Sequence, residues 1–127
     1  MLFRSASAQP LDNTQVVPPT TSTAFGDGVL MVDRATNKIV ISYVLHTVVG
    51  ALGAGINTNS GAGNQILGFA NLQDNFDGNN TNLATPVAGA VLTPQGLSDF
   101  DNSLLYFNVT SATFPNGEIR GNISPLQ

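Results

Sequence analysis

Residues 103–124 read "SLLYFNVTSATFPNGEIRGNIS", and this stretch decides the fold. Leu105, Phe107 and Val109 alternate with Tyr106, Asn108 and Thr110, the period of a strand with one apolar face. Past a turn signal, Ile119 and Ile123 resume the apolar face while Glu118, Arg120 and Asn122 face away. Asn116-Gly117 is a two-residue hairpin signal. A loop that short would set Val109 and Ile119 on opposite faces. Since register must keep both inside, the spacing predicts a bulge or a loop of about three to four residues between Thr110 and Glu118.

The same texture runs outward through the chain. Helical periodicity is nearly absent, and short β-branched runs alternate with Gly, Pro, Asn and Asp clusters. Strands are predicted at 14–17, 24–33, 38–47, 65–72, 87–92, 104–110 and 118–124, with "RATNK" (34–38) as a hairpin turn. In the third of these, Ile39, Ile41, Tyr43 and Leu45 share one face. Lys38, Val40, Ser42, Val44 and His46 share the other, read as mixed and half exposed. With the two prolines of "VVPPTTS", any strand there must end or lie at an edge. Residues 73–86 read as a polar surface loop. The fold class expected is all-β: a single-domain antiparallel Greek-key-like β-sandwich of about seven to eight strands.

Bulk composition narrows the function. The chain has 127 residues, one domain's worth, and 42% are hydrophobic, enough for a core. Charged residues are only 9%, against about 25% in an average soluble protein, so Asn, Thr, Ser, Gln and Gly must carry solubility. That surface is familiar in secreted and cell-surface β proteins. Net charge is −4, and the four basic residues Arg4, Arg34, Lys38 and Arg120 form no stripe, which argues against nucleic-acid binding. No apolar run has the length of a membrane-spanning helix. Without cysteine there is neither a disulfide framework nor thiolate chemistry. Residues 1–13 are read as an N-terminal arm, either a signal remnant (Ala6-Ser7-Ala8 has the A-x-A form) or an inter-subunit contact, and 14–127 as the domain.

"LYFNVTSATFPNGEIRGNI" (105–123) resembles the C-terminal signature of the chordin-type CHRD domain, a Tyr-x-Asn-Val strand leading into Pro-x-Gly-Glu-Ile-Arg-Gly. The residues carrying it are Tyr106, Asn108, Gly117, Glu118, Ile119, Arg120 and Gly121. "LDNTQVVPPTTSTAFGDGVLMVD" and "KIVISYVLHTVVGAL" look like the opening and the following strand of that family. The resemblance implies an extracellular Greek-key-like sandwich. Where the family often has His-x-His, this chain has Gly55-Ile56-Asn57, so a metal-binding or dismutase-like role built on those histidines loses its ligands.

The remaining candidates for chemistry are sparse. His46 is the sole histidine and has no partner ligand at suitable spacing. Asp74 and Asp77 in "QDNFDGNN" are oxygen donors that suit calcium, but Gln73 occupies the first position of the helix–loop–helix calcium pattern, and turns need the same residues. Glu118 and Arg120, two apart on a strand, are read as a structural ion pair. Gly117 and Gly121 are read as meeting backbone demands, positive φ in a turn and close approach of a neighbour. Asp99 and Asp101 are read as turn residues rather than a catalytic pair. "NNT" (79–81), "NVT" (108–110) and "NIS" (122–124) match the glycosylation sequon.

The expectation is a noncatalytic secreted or cell-surface structural and interaction module, with no cofactor. Its partner is another extracellular protein or itself, assembling into an oligomer or filament by strand edges or the arm. The alternative is a metal-binding or redox protein, disfavoured for want of ligands.

Overall fold

The structure, a computed structural model, describes residues 4–59, 65–75, 82–86 and 89–125. The strands are β1 (Arg4–Leu11), β2 (Gly26–Asp33), β3 (Lys38–His46), β4 (Ala51–Thr58), β5 (Gln65–Asn75), β6 (Asn82–Pro86), β7 (Leu105–Ser111) and β8 (Ile119–Asn122). One short helix, α1 (Pro94–Asp101), precedes β7. All pairings are antiparallel, and the sheet order is β1-β2-β3-β6-β5-β4-β7-β8. Within it β4 to β7 run 7-4-5-6, three consecutive strands and a fourth returning beside the first, which is a Greek key.

The expected two sheets are one. β5 pairs β4 through Gln65–Gly68 and β6 from Phe69 onward, so this strand carries the sheet from one layer into the other. The outer strands then meet: the backbone N–H groups and carbonyls of Asp12 and Arg120 exchange hydrogen bonds of 3.1 and 3.0 Å. The result is an all-β single domain, rolled nearly into a barrel.

Inside lie Leu30 and Val32 from β2, Val44 from β3, Ile56 from β4, and Leu105, Phe107 and Val109 from β7, joined by Ile119 and Ile123. Gly28 decides how closely the two layers approach. A Cβ there would come within 2.4 Å of the Phe107 ring carbons, so glycine lets the ring pack against the β2 backbone.

Several expectations are corrected. Within the stretch read as an N-terminal arm, Arg4–Leu11 forms a strand of this sheet, and the strand expected at 14–17 is a 3-10 turn, Asn13–Gln15, capped by Asp12. β4 is a strand that the pattern of residues does not predict. Residues 73–86 are not a single loop: β5 runs to Asn75 and β6 begins at Asn82. The strand expected at 87–92 shrinks to one bridge, Lys38 to Val91, with residues 87–88 outside the described residues. In β3 the faces are exchanged. Val40 is an extra residue in the β2–β3 ladder, since Met31 pairs with Ile41 but Val32 with Ile39. Beyond that bulge Ser42, Val44 and His46 point inward and Ile41 is 47% exposed.

The β7–β8 register keeps Val109 opposite Ile119, both fully buried. The connection is longer than predicted, spanning 112–118. Its folds are tied by Ser111 N–H to the Phe114 carbonyl (3.2 Å) and Glu118 N–H to the Val109 carbonyl (2.7 Å).

Candidate functional site

The outward face of β4, β7 and β8 gathers most of the signature residues. Alternation along β7 sends Leu105, Phe107 and Val109 inward and Tyr106 and Asn108 outward, yet both outward residues are nearly buried. Something must cover them. Over Tyr106 it is Arg120, whose guanidinium lies 3.5 Å from the ring centroid. Its Nε donates to Asn122 Oδ1 at 3.2 Å and its Nη2 to Asn59 Oδ1 at 2.8 Å. Gln15 closes the rim by accepting from Asn122 N–H at 2.9 Å. Burial holds the Arg120 guanidinium below its ordinary pKa, partly offset by Tyr106. Over Asn108 the cover is Gly117, whose φ of 137° only glycine adopts freely; a Cβ there would come within 2.5 Å of Asn108 Oδ1. Gly121 lets β1 approach, since a Cβ would lie 2.7 Å from the Pro10 carbonyl oxygen.

Glu118 and Arg120 are not an ion pair. Glu118 accepts from Ser22 Oγ (2.7 Å) and Ser111 Oγ (2.6 Å), while Thr20 Oγ1 donates to its carbonyl (2.9 Å). Its carboxylate therefore clips the segment before β2 to the end of β7. The described ion pair is elsewhere: Arg34 grips Asp101 with two bonds of 2.7 and 2.6 Å. It pulls the Asp101 carboxyl below its ordinary value and raises the guanidinium in turn.

Asp99 and Asp101 belong to α1, not to a turn. Two positions apart on a helix they face opposite ways. Asp99 turns inward and accepts from Thr58 Oγ1 and Gln95 Nε2, both at 2.9 Å, so no carboxylate pair forms. His46 is fully buried, correcting the half-exposed reading, and its Nδ1 accepts from Val48 N–H at 3.2 Å. Gly55 and Asn57 flank the buried Ile56, and the Leu67 carbonyl oxygen and the Gln65 side chain fill the space a Cβ on Gly55 would take. Asp74 lies on β5 opposite Leu83, and Asp77 lies outside the described residues. Among the described residues no group of three or more His, Asp or Glu side chains is placed to hold a metal ion.

A second feature is an edge. Pro10 carries no N–H, so its pair with Asp27 is of the non-bonded kind, and alternate residues of β1 turn their backbone groups away from β2. On that outer side Asp12 bonds Arg120, and the Pro10 carbonyl accepts from Gln15 Nε2 at 2.9 Å. At Ala8 and Ala6 the ladder to β8 has ended, and their outward groups have no partner among the described residues.

No helix of the described residues is long and apolar enough to cross a membrane. No curated protein and no solved structure matches the chain significantly. A family model described as CHRD domain matches residues 8–123, from the middle of β1 to the buried Ile123 after β8. With the signature face built as described and nearly the whole chain matched, this chain belongs to the CHRD domain family, whose members are in general extracellular, non-enzymatic interaction modules.

Proposed function

We propose that this chain is a noncatalytic secreted or cell-surface module that assembles with copies of itself through the outer edge of β1. The observation that carries this reading is the unpaired stretch at Ala6 and Ala8, beside an edge otherwise closed by Asp12, Gln15 and Arg120. Exposed strand edges template further strands unless charge, proline or a bulge blunts them. Here Ser5 to Gln9 carries no charge, and Pro10 blocks only the end. The stretch is also self-complementary. Antiparallel pairing of Ala6 with Ala8 of a second copy, and of Ala8 with its Ala6, satisfies both sets of groups about one two-fold axis.

Ala8→Pro tests this. Its N–H points away from β2, so proline removes the intermolecular donor and leaves the β1–β2 ladder whole. Light scattering should give a multiple of the monomer mass for the wild type and the monomer for Ala8→Pro, with melting temperatures within a few degrees. A wild-type monomer at high concentration, or an assembly unchanged by the proline, refutes the reading.

A further inference from the structure

We infer that Arg120 and the groups around it form a docking point for a single carboxylate, an aspartate or glutamate side chain of a partner protein. The site does not depend on the β1 edge.

The two described guanidiniums are treated differently by the fold. Arg34, which ties α1 to the turn after β2, has both amino groups on one carboxylate. Arg120 has none. It is half-buried against Tyr106, its Nε and Nη2 are held by neutral amide oxygens, and Nη1 has no acceptor among the described residues. Asp12, just after β1, is bridged directly to Arg120, but its carboxylate is engaged by the N–H groups of Thr14 and Gln15 and by the Thr14 hydroxyl. A cation drawn out of water without a counter-charge is costly unless something supplies one. The stack on Tyr106 and the two amide bonds also fix the planar fork in advance, so little side-chain freedom remains to be lost when an anion arrives.

The chemistry of the surroundings selects the charge. Asn59, Asn122 and Gln15 are neutral, and among the described residues no second cation bonds to this group. One guanidinium balances one carboxylate, whereas a phosphate dianion or a polyanion brings charge that a single guanidinium leaves unbalanced. An arginine braced on a tyrosine and ringed by small polar groups is also the composition of a protein-binding hot spot.

The experiment follows the side-chain Nε–Hε signal of Arg120 in the whole chain by NMR. Two capped peptides are titrated at constant ionic strength, one alternating serine with glutamate and one serine with glutamine, alongside an oligogalacturonate. The expected result is a saturable shift with the glutamate peptide and at least a tenfold weaker one with glutamine. Arg120→Met, which keeps a stem over Tyr106, should also bind the glutamate peptide at least tenfold more weakly. Should that variant not fold, the two peptides on the wild-type chain decide alone. No saturable shift, equal response to both peptides, equal binding by a folded Arg120→Met, or saturation by the sugar acid but not the glutamate peptide each overturns the inference.

Discussion

Glu118 shows how one side chain of the signature serves the fold rather than chemistry. Its two oxygens take hydroxyl bonds from Ser22 and Ser111, each of the short, charge-assisted kind. Glu118→Gln keeps the shape but weakens both bonds and turns one end into a donor. The expected loss is about 1–3 kcal/mol in urea unfolding, with faster amide exchange around residues 20–22. An unchanged midpoint would mean that the clip carries no stability. The glutamate was visible in the sequence as part of a motif, yet its partners were not, since Ser22 is 96 residues away. Strand geometry alone paired it with Arg120. What separates them is the aromatic face of Tyr106, which claims the arginine first.

Among elements, α1 and β4 explain most of what periodicity missed. An eight-residue helix is too short to display a repeat, but its start is written locally: Thr93 caps it by accepting from Gly96 N–H at 3.0 Å, and Pro94 follows at the first helical position. β4, "ALGAGINT", lacks the β-branched run that marks a strand. Its glycines are there because neighbours occupy the space over them, with Thr110 Oγ1 above Gly53 and Gln65 above Gly55.

The helix is tied to the β2–β3 turn by Arg34 and Asp101, which sets a pH dependence. Asp101 titrates lower folded than unfolded, so its contribution is complete above the ordinary carboxylate value of 3.8 and is lost as the pH falls through the depressed one. The side chains are 33% and 42% exposed, so the coupling should stay below about 1 kcal/mol. A double-mutant cycle with Arg34→Met and Asp101→Asn should show that coupling near neutrality and none in strong acid. A coupling that persists in acid would rule out the ion pair as its source.

For the whole molecule the decisive contact joins the layers. Phe107 on β7 rests on the bare backbone of β2 at Gly28, and this sets how tightly the rolled sheet closes. Gly28→Ala should cost about 1–3 kcal/mol by overpacking, as read from thermal or denaturant melting. In a Phe107→Leu background, where the smaller side chain yields, the same substitution should cost markedly less. Equal costs in both backgrounds would place the crowding elsewhere.

Strand content, the single domain, the inward set of β7 and the family were legible in the residues alone. Alternation and turn residues act over a few positions, and the signature is contiguous. The identity of the buried face in β3, the strand nature of the N-terminus and the continuity of the two layers were not. Each depends on a long-range event: the bulge at Val40 that reverses which residues point inward, the pairing of Arg4–Leu11 with β2, and the passage of β5 from one layer to the other. An unpaired edge and an arginine without a carboxylate are likewise properties of what lies beside a residue in space, which no local pattern records.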